Sequence, residues 1–161
     1  MAENTSSRIH FEVIDSTNAY CLREVGRLES GTVVTADTQT AGRGRRGREW
    51  YSPSRVNLYL SILLKPPFLN AHTALFPHVA SLAIFDVVRG LGVDGAWIKW
   101  PNDVMAGTNK LAGVLCETRG HDDRVEAMVV GIGLNLNMSA EDAARIDRGA
   151  TSVLLETGRD T

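Results

Sequence analysis

Residues 38–50, TQTAGRGRRGREW, cannot be buried, and the residues after them decide which folds remain open. The stretch holds four arginines (Arg43, Arg45, Arg46, Arg48), three glycines (Gly42, Gly44, Gly47) and Trp50, with no apolar periodicity. Its glycines spell Gly42-x-Gly44-x-x-Gly47, the bare pattern of a dinucleotide-binding turn, but that turn must open a helix. Here Glu49-Trp50-Tyr51-Ser52-Pro53 comes next, and residues 56–64 then alternate like a strand, which argues against a doubly wound parallel sheet. Clustered guanidiniums repel, and glycines have much backbone freedom to lose, so the stretch reads as a mobile loop. An anion that neutralises the arginines and accepts backbone N–H bonds would order it, and a phosphate-bearing ligand is the simplest choice.

The remaining chain reads as strands with helices inserted. Residues 9–14 form a short strand. Asp15-Ser16-Thr17-Asn18 then opens a helix to about Leu28, its oxygens serving as N-caps and its hydroxyls and N–H groups open to a polar ligand. Residues 32–36 are β-branched and deliver Gln39 and the arginine loop. In residues 56–64, Val56, Leu58, Leu60, Ile62 and Leu64 make the expected buried face. Residues 71–91 give the longest helix, with Leu75, Val79, Leu82, Ala83 and Val87 as its expected core stripe, packed between the sheet and another layer. His72 and His78 have no ligand spacing and read as surface or interface residues.

Residues 96–100 form a strand that Pro101 ends. Residues 104–106, a turn at 107–109 and a strand over 110–117 form a hairpin, and residues 124–137 pair next in line, with Gly131 and Gly133 where something approaches the backbone closely. A short polar helix over 141–148 and an element from Ser152 complete the chain. The fold class is therefore α+β, a mixed, mostly antiparallel β-sheet flanked by helices in a single domain over residues 1–161, with residues 1–7 expected to be disordered.

Bulk properties bound the function. The net charge of −2 offers no global field for nucleic acid or membrane, so positive charge is local to the loop. The apolar fraction of 43% is ordinary, and no run is long enough to span a membrane. The N-terminal residues contain no signal peptide, and two distant cysteines, Cys21 and Cys116, suit a reduced cytoplasm.

Three polar clusters interrupt the apolar strands: Gln39 with the arginine loop, Lys99-Trp100-Pro101-Asn102-Asp103, and Lys110. The hairpin turn brings Lys110 back towards Asp103. A lysine, a carboxylate and a basic loop at one sheet end are equipment for phosphoryl or nucleotidyl transfer. No Ser-His-Asp, Cys-His or metal-cluster spacing competes.

At these residues the sequence resembles the biotin–protein ligases (biotin–[acetyl-CoA-carboxylase] ligases) of the biotin/lipoate protein ligase family. The matching stretches, in the family's order, are Asp15-Ser16-Thr17-Asn18, residues 38–48 with Trp50, Lys99-Trp100-Pro101-Asn102-Asp103, Lys110-Leu111-Ala112-Gly113-Val114-Leu115 and Gly131-Ile132-Gly133-Leu134-Asn135. The resemblance implies a fold related to the class II aminoacyl-tRNA synthetases. It implies ATP and Mg²⁺ as cofactors, formation of biotinyl-5′-AMP, and transfer of biotin to a lysine of the biotin carboxyl carrier protein of a biotin-dependent carboxylase.

By motif position, Ser16, Thr17, Asn18, Gln39, Arg43, Gly44, Arg45, Lys110, Gly113, Gly131 and Gly133 would contact biotin. Arg43, Arg46, Arg48, Trp50, Asn102 and Asn135 would contact ATP or the adenylate, with Trp50 stacking on adenine. Lys110, Arg45 and Asp103 would be catalytic, and Asp103 would also take Mg²⁺. The family's regulatory members carry an N-terminal helix-turn-helix domain, whereas the motifs start here before residue 20, so DNA binding is not expected. Family members also continue past residues 152–158 into a helix and a C-terminal β-barrel, which is expected to be absent here. Three other readings stay open: lipoate or octanoyl transfer on the same scaffold, a biotin-binding or biotin-sensing module that forms no adenylate, and RNA binding by the arginine loop. RNA binding is disfavoured by the net charge and the lack of an aromatic stripe. Dimerisation through a sheet edge is also open.

Overall fold

The computed structural model describes residues 7–67, 70–121 and 124–161. Residues 1–6, expected to be disordered, lie outside the described residues. Ser7, grouped with them at the sequence level, is tied down: its Oγ lies 2.8 Å from Thr32 Oγ1 and its carbonyl accepts from Val33 N at 2.9 Å.

Seven strands among the described residues form one sheet. They are β1 (Arg8–Ile14), β2 (Val33–Gln39), β3 (Leu58–Leu64), β4 (Ala96–Lys99), β5 (Asp103–Ala106), β6 (Asn109–His121) and β7 (Arg124–Leu134), in the order β1-β2-β3-β7-β6-β5-β4. Only β1 and β2 run parallel; every other neighbouring pair is antiparallel. This is the mixed, mostly antiparallel sheet read from the sequence. The parallel pair arises because helix α1 (Thr17–Arg23) and the turns after it carry the chain from the end of β1 back to the start of β2. Short connections join β4 to β5, β5 to β6 and β6 to β7 as hairpins, and β5 and β6 meet across Gly107, whose φ of 54° suits a tight turn.

Helices α1 and α2 (Phe76–Gly90) cover opposite sheet faces, as the alternation of β7 shows. Ala127 and Val129 pack with Cys21 and Val25 of α1 and its following turn, whereas Met128 and Val130 pack with Ala80, Ile84 and Val88 of α2. Two expected faces are corrected by this arrangement. β3 is an inner strand whose fully buried residues are Tyr59, Ser61 and Leu63, whereas Leu58, Leu60, Ile62 and Leu64 are half-buried. In α2 the buried residues are Ala80, Ser81, Ile84 and Val88, while the expected stripe, Leu75, Val79, Leu82 and Val87, is 54–62% exposed. Small Ala80 and Ser81 let the helix axis approach the sheet closely, which the bulkier stripe would not. The helix is also shorter than expected at its start, where residues 70–75 form a 3-10 turn.

The C-terminal part supplies α3 (Ala140–Ala144) and α4 (Val153–Thr157), capped by the Ser139 and Ser152 side chains. α3 is shorter than the helix read over 141–148, whereas α4 starts where the element from Ser152 was read, with Ser152 as its cap. The loop between them is stitched to β6: Lys110 N donates to Gly149 O at 3.1 Å and Thr151 N to Lys110 O at 3.0 Å. No helix among the described residues is long and apolar enough to cross a membrane.

Candidate active site

The site lies on the α1 face of the sheet, where three ladder rows cross it. Tyr59, Gly133, Gly113 and Asp103 stand side by side on β3, β7, β6 and β5. Ser61, Gly131 and Leu115 form the next row, and Leu63, Val129 and Glu117 the one beyond. The glycines remove side chains from the middle of this floor, and other side chains fill the space. A Cβ on Gly131 would stand 2.2 Å from Asn18 Oδ1, and one on Gly133 would stand 2.3 Å from Trp50 Cε2. A Cβ on Gly113 would meet Lys110 Nζ at 2.9 Å. Close approach at Gly131 and Gly133 was legible in the sequence; that the approaching groups are Asn18 and Trp50 was not.

Above the floor is a cavity of about 710 Å³, within the range of sites that enclose a ligand. All the residues singled out by motif position line it: Ser16, Thr17, Asn18 and Gln39 at one end, then Arg43, Gly44, Arg45, Arg46 and Arg48, with Trp50, Asn102, Asp103, Lys110, Gly113, Gly131, Gly133 and Asn135 around the rest. The wall carries seven lysines and arginines against two carboxylates, Glu49 and Asp103, although the whole chain is slightly acidic. Such a wall focuses positive potential on whatever the cavity holds.

At the α1 end the polar groups are fixed by one another. Gln39 Oε1 accepts from Thr17 N at 2.9 Å, and Gln39 Nε2 donates to Ser52 Oγ at 3.1 Å. Ser61 Oγ is within hydrogen-bonding distance of Thr17 Oγ1 (2.7 Å) and Asn18 Oδ1 (2.5 Å). Asp15 accepts from Ser16 N and pairs with Arg23, and the Arg23 guanidinium holds its carboxyl below the usual carboxylate value. The first turn of α1 is thus held as a cup of donors and acceptors.

In the middle, Lys110 Nζ lies 2.7 Å from Asp103 Oδ1 and 5.3 Å from the centroid of the Trp50 ring. Asn102 Nδ2 donates to Asp103 Oδ1 at 3.0 Å, and Arg45 donates to Asn102 Oδ1. The three groups read as catalytic, Lys110, Arg45 and Asp103, are therefore joined through Asn102. The arginine loop folds into a small hairpin, with Gly44 N donating to Arg48 O at 2.7 Å and Trp50 N to Gly42 O at 2.9 Å. Its tip is a 3-10 turn in which Arg46 adopts the left-handed region at φ 60°. No residue pattern in the loop signals this tip.

Trp50 Nε1 is buried without a partner among the described residues. An orphan donor in a cavity wall is a place for a ligand acceptor. Asn135 is committed differently: its Nδ2 donates to Thr151 O at 2.9 Å and reaches Lys110 O at 3.5 Å. It braces the strand that carries Lys110.

Sequence reasoning missed four contributors. Ser61 was detectable as the one serine on an otherwise apolar strand. Glu117 follows the apolar run of β6 and carried no motif. Ile146 and Arg148 line the cavity only because the α3–α4 loop is stitched to Lys110. The thiols are not part of the chemistry: burial pushes Cys21 and Cys116 up to about 12, so neither is a ready nucleophile at neutral pH. No group of three or more metal-ligating side chains occurs among the described residues.

Comparison with known proteins decides the family. Residues 10–135 match the biotin/lipoate A/B protein ligase family. The chain belongs to that family. It is similar to the bifunctional ligase/repressor BirA of Escherichia coli, 40% identical over 137 residues, which cover 85% of this chain and 43% of that protein. It is 43% identical over 150 residues to the biotin–[acetyl-CoA-carboxylase] ligase of Paracoccus denitrificans, covering 89% of this chain and 61% of that one. Among solved structures, the biotin protein ligase of Aquifex aeolicus in complex with biotin and ATP superposes with a TM-score of 0.81 at 34% identity, over 96% of this chain and 62% of that one. This family member thus spans about half the length of the relatives it matches.

Proposed function

We propose that this chain activates biotin with ATP and passes it to a lysine of a biotin carboxyl carrier protein. The observation that carries the reading is the position of Lys110 in the cavity wall, paired with Asp103 and lying over the Trp50 ring. Biotin enters with its ureido ring at Ser16, Thr17, Asn18 and Gln39, whose fixed donors and acceptors match a group that both accepts and donates. Its chain runs past Asn18 and Trp50, which stand on the glycine floor, and its carboxylate ends near Lys110. ATP lies beyond, its adenine at Trp50 and its phosphates among Arg43, Arg45, Arg46 and Arg48.

The carboxylate oxygen attacks the α-phosphate and the bond to the β-phosphate oxygen breaks, leaving biotinyl-5′-AMP and pyrophosphate. Lys110 and Arg45 stabilise the negative charge that grows on the α-phosphate oxygens. Mg²⁺ would arrive with the triphosphate and neutralise its charge, and Asp103, with Asn102 beside it, would supply one of the one or two carboxylates such an ion takes from a protein. The loop and Trp50 keep water from the mixed anhydride. The amine of the carrier lysine then attacks the acyl carbon, and AMP leaves.

Biotin-dependent exchange of pyrophosphate into ATP tests the first step, with lipoate as the control acid. Exchange with biotin and not with lipoate is expected, and Lys110→Ala should lower it by roughly 10²-fold or more with the fold retained. Biotin binding without exchange would instead support a sensing module. Exchange with lipoate would move the assignment to lipoate chemistry.

A further inference from the structure

Glu117 lies outside the cavity, yet it is the point where the two ends of the site's lining meet. It stands on the third ladder row, beside Val129. Its Oε2 accepts from Asn18 Nδ2 at 2.9 Å and from Arg43 Nη2 at 3.0 Å. Asn18, 4% exposed, spends its other groups on Leu115 O at 3.1 Å and on Ser61 Oγ. Arg43 is the first arginine of the loop and pairs across its hairpin with Glu49 through a backbone bridge. One carboxylate oxygen therefore joins α1, the arginine loop and β6.

The loop's other two anchors are of a different kind. Arg45 is held by the neutral amide of Asn102, and Trp50 is seated on the glycine floor. Among the described residues Glu117 is the carboxylate that forms an ion pair with the loop's arginines, and it offsets one charge of the four that repel one another there. Its removal would release Arg43 and leave Asn18 with only Leu115 O and Ser61 Oγ.

We propose that Glu117 is a positioning residue that latches the arginine loop over the cavity and fixes the Asn18 amide at the same time, so that closing the lid and shaping the acid-binding cup are one event. The part concerning the cup rests on the biotin reading above. The latch itself does not, since all its contacts are within the chain. A surface ion pair of no consequence is the alternative, because many exposed pairs contribute nothing measurable. Here Glu117 is 25% exposed and shares its oxygen with a buried amide.

Hydrogen–deuterium exchange of the ligand-free full chain tests the latch. In Glu117→Arg and in Arg43→Glu, amides of residues 40–50 should exchange roughly three- to fivefold faster, with β7 unchanged. In the double variant, which restores an ion pair with its charges reversed, loop exchange should return to within about twofold of the wild type. A role confined to strand stability would not be rescued by a change at Arg43. Unchanged loop exchange in both single variants, or no rescue in the double, would overturn the latch. Calorimetric titration with biotin separates the two readings: Glu117→Gln should bind roughly fivefold more weakly than wild type. A wild type that binds no biotin would sink the biotin reading while the exchange pattern still decides the latch. Equal biotin affinity in wild type and Glu117→Gln would overturn the coupling to the cup.

Discussion

Gly131 and Gly133 stand two residues apart on β7, and each gives up its side-chain space to a different half of the site. Asn18 Oδ1 occupies one and the Trp50 ring the other. The two positions should therefore fail differently. Gly131→Ala forces its Cβ against an amide held on three sides, so Asn18 must leave Ser61 and Glu117. Gly133→Ala pushes against an indole whose Nε1 has no partner to lose among the described residues. Overpacking costs about 1–3 kcal/mol, which is roughly a five- to hundredfold loss if it falls on binding. Gly131→Ala should weaken biotin and leave ATP nearly untouched; Gly133→Ala should do the reverse. Separate calorimetric titrations with each ligand check this, and equal losses of both ligands in both variants would mean that the floor fails as a unit.

Elements were legible where apolar residues lie on one face and less so where they lie on both. The Lys110–Asp103 contact followed from the hairpin at residues 107–109 alone, because a tight turn fixes register over a few residues. The faces of β3 and α2 did not follow. β3 lies between β2 and β7 and is apolar on both faces, yet Tyr59, Ser61 and Leu63 are the buried ones and Leu58, Leu60, Ile62 and Leu64 are half-buried, so counting leucines picks the wrong face. α2 is apolar nearly all round, and periodicity then does not separate the Val79–Leu82–Val87 stripe from the Ala80–Ser81–Ile84–Val88 stripe that touches the sheet. Stability measurements should separate the two. Ile84→Ala, at 5% exposure, should cost about 2–4 kcal/mol, whereas Leu82→Ala, at 54%, should cost under about 1 kcal/mol. Ser81→Ala should be neutral or stabilising, because the buried Ser81 hydroxyl has no hydrogen-bond partner among the described residues. Urea denaturation of the three variants reads all of this. A larger loss at Leu82 than at Ile84 would mean that the exposed stripe is covered in solution.

Across the whole molecule, charge and connectivity divide the labour. The chain is slightly acidic, yet the cavity wall is strongly cationic, because most of its arginines come from one loop and its lysines from strand ends. The motifs in β2, β5, β6 and β7 made that wall legible. The α3–α4 loop closes the same cavity through long-range backbone bonds to Lys110, a pairing no local pattern encodes. A cavity assembled from so many segments should couple occupancy to global stability. A ligand bound only by the folded state at 100 times its Kd adds about 2.7 kcal/mol, which for a chain of this size is a rise of roughly 5–10 °C in Tm. In the proposed pose a non-hydrolysable biotinyl-adenylate analogue would span the Ser16–Gln39 cup, Lys110 and Trp50 at once, so it should give that full shift. Biotin or AMP alone, at the same concentration, should give distinctly less, since each leaves half of the wall unpaired. Differential scanning fluorimetry with the three ligands is the check. An equal rise with inorganic triphosphate would mean that the arginine-rich wall binds polyanions without reading what they carry, and the adenylate assignment would then fall while the family assignment stood.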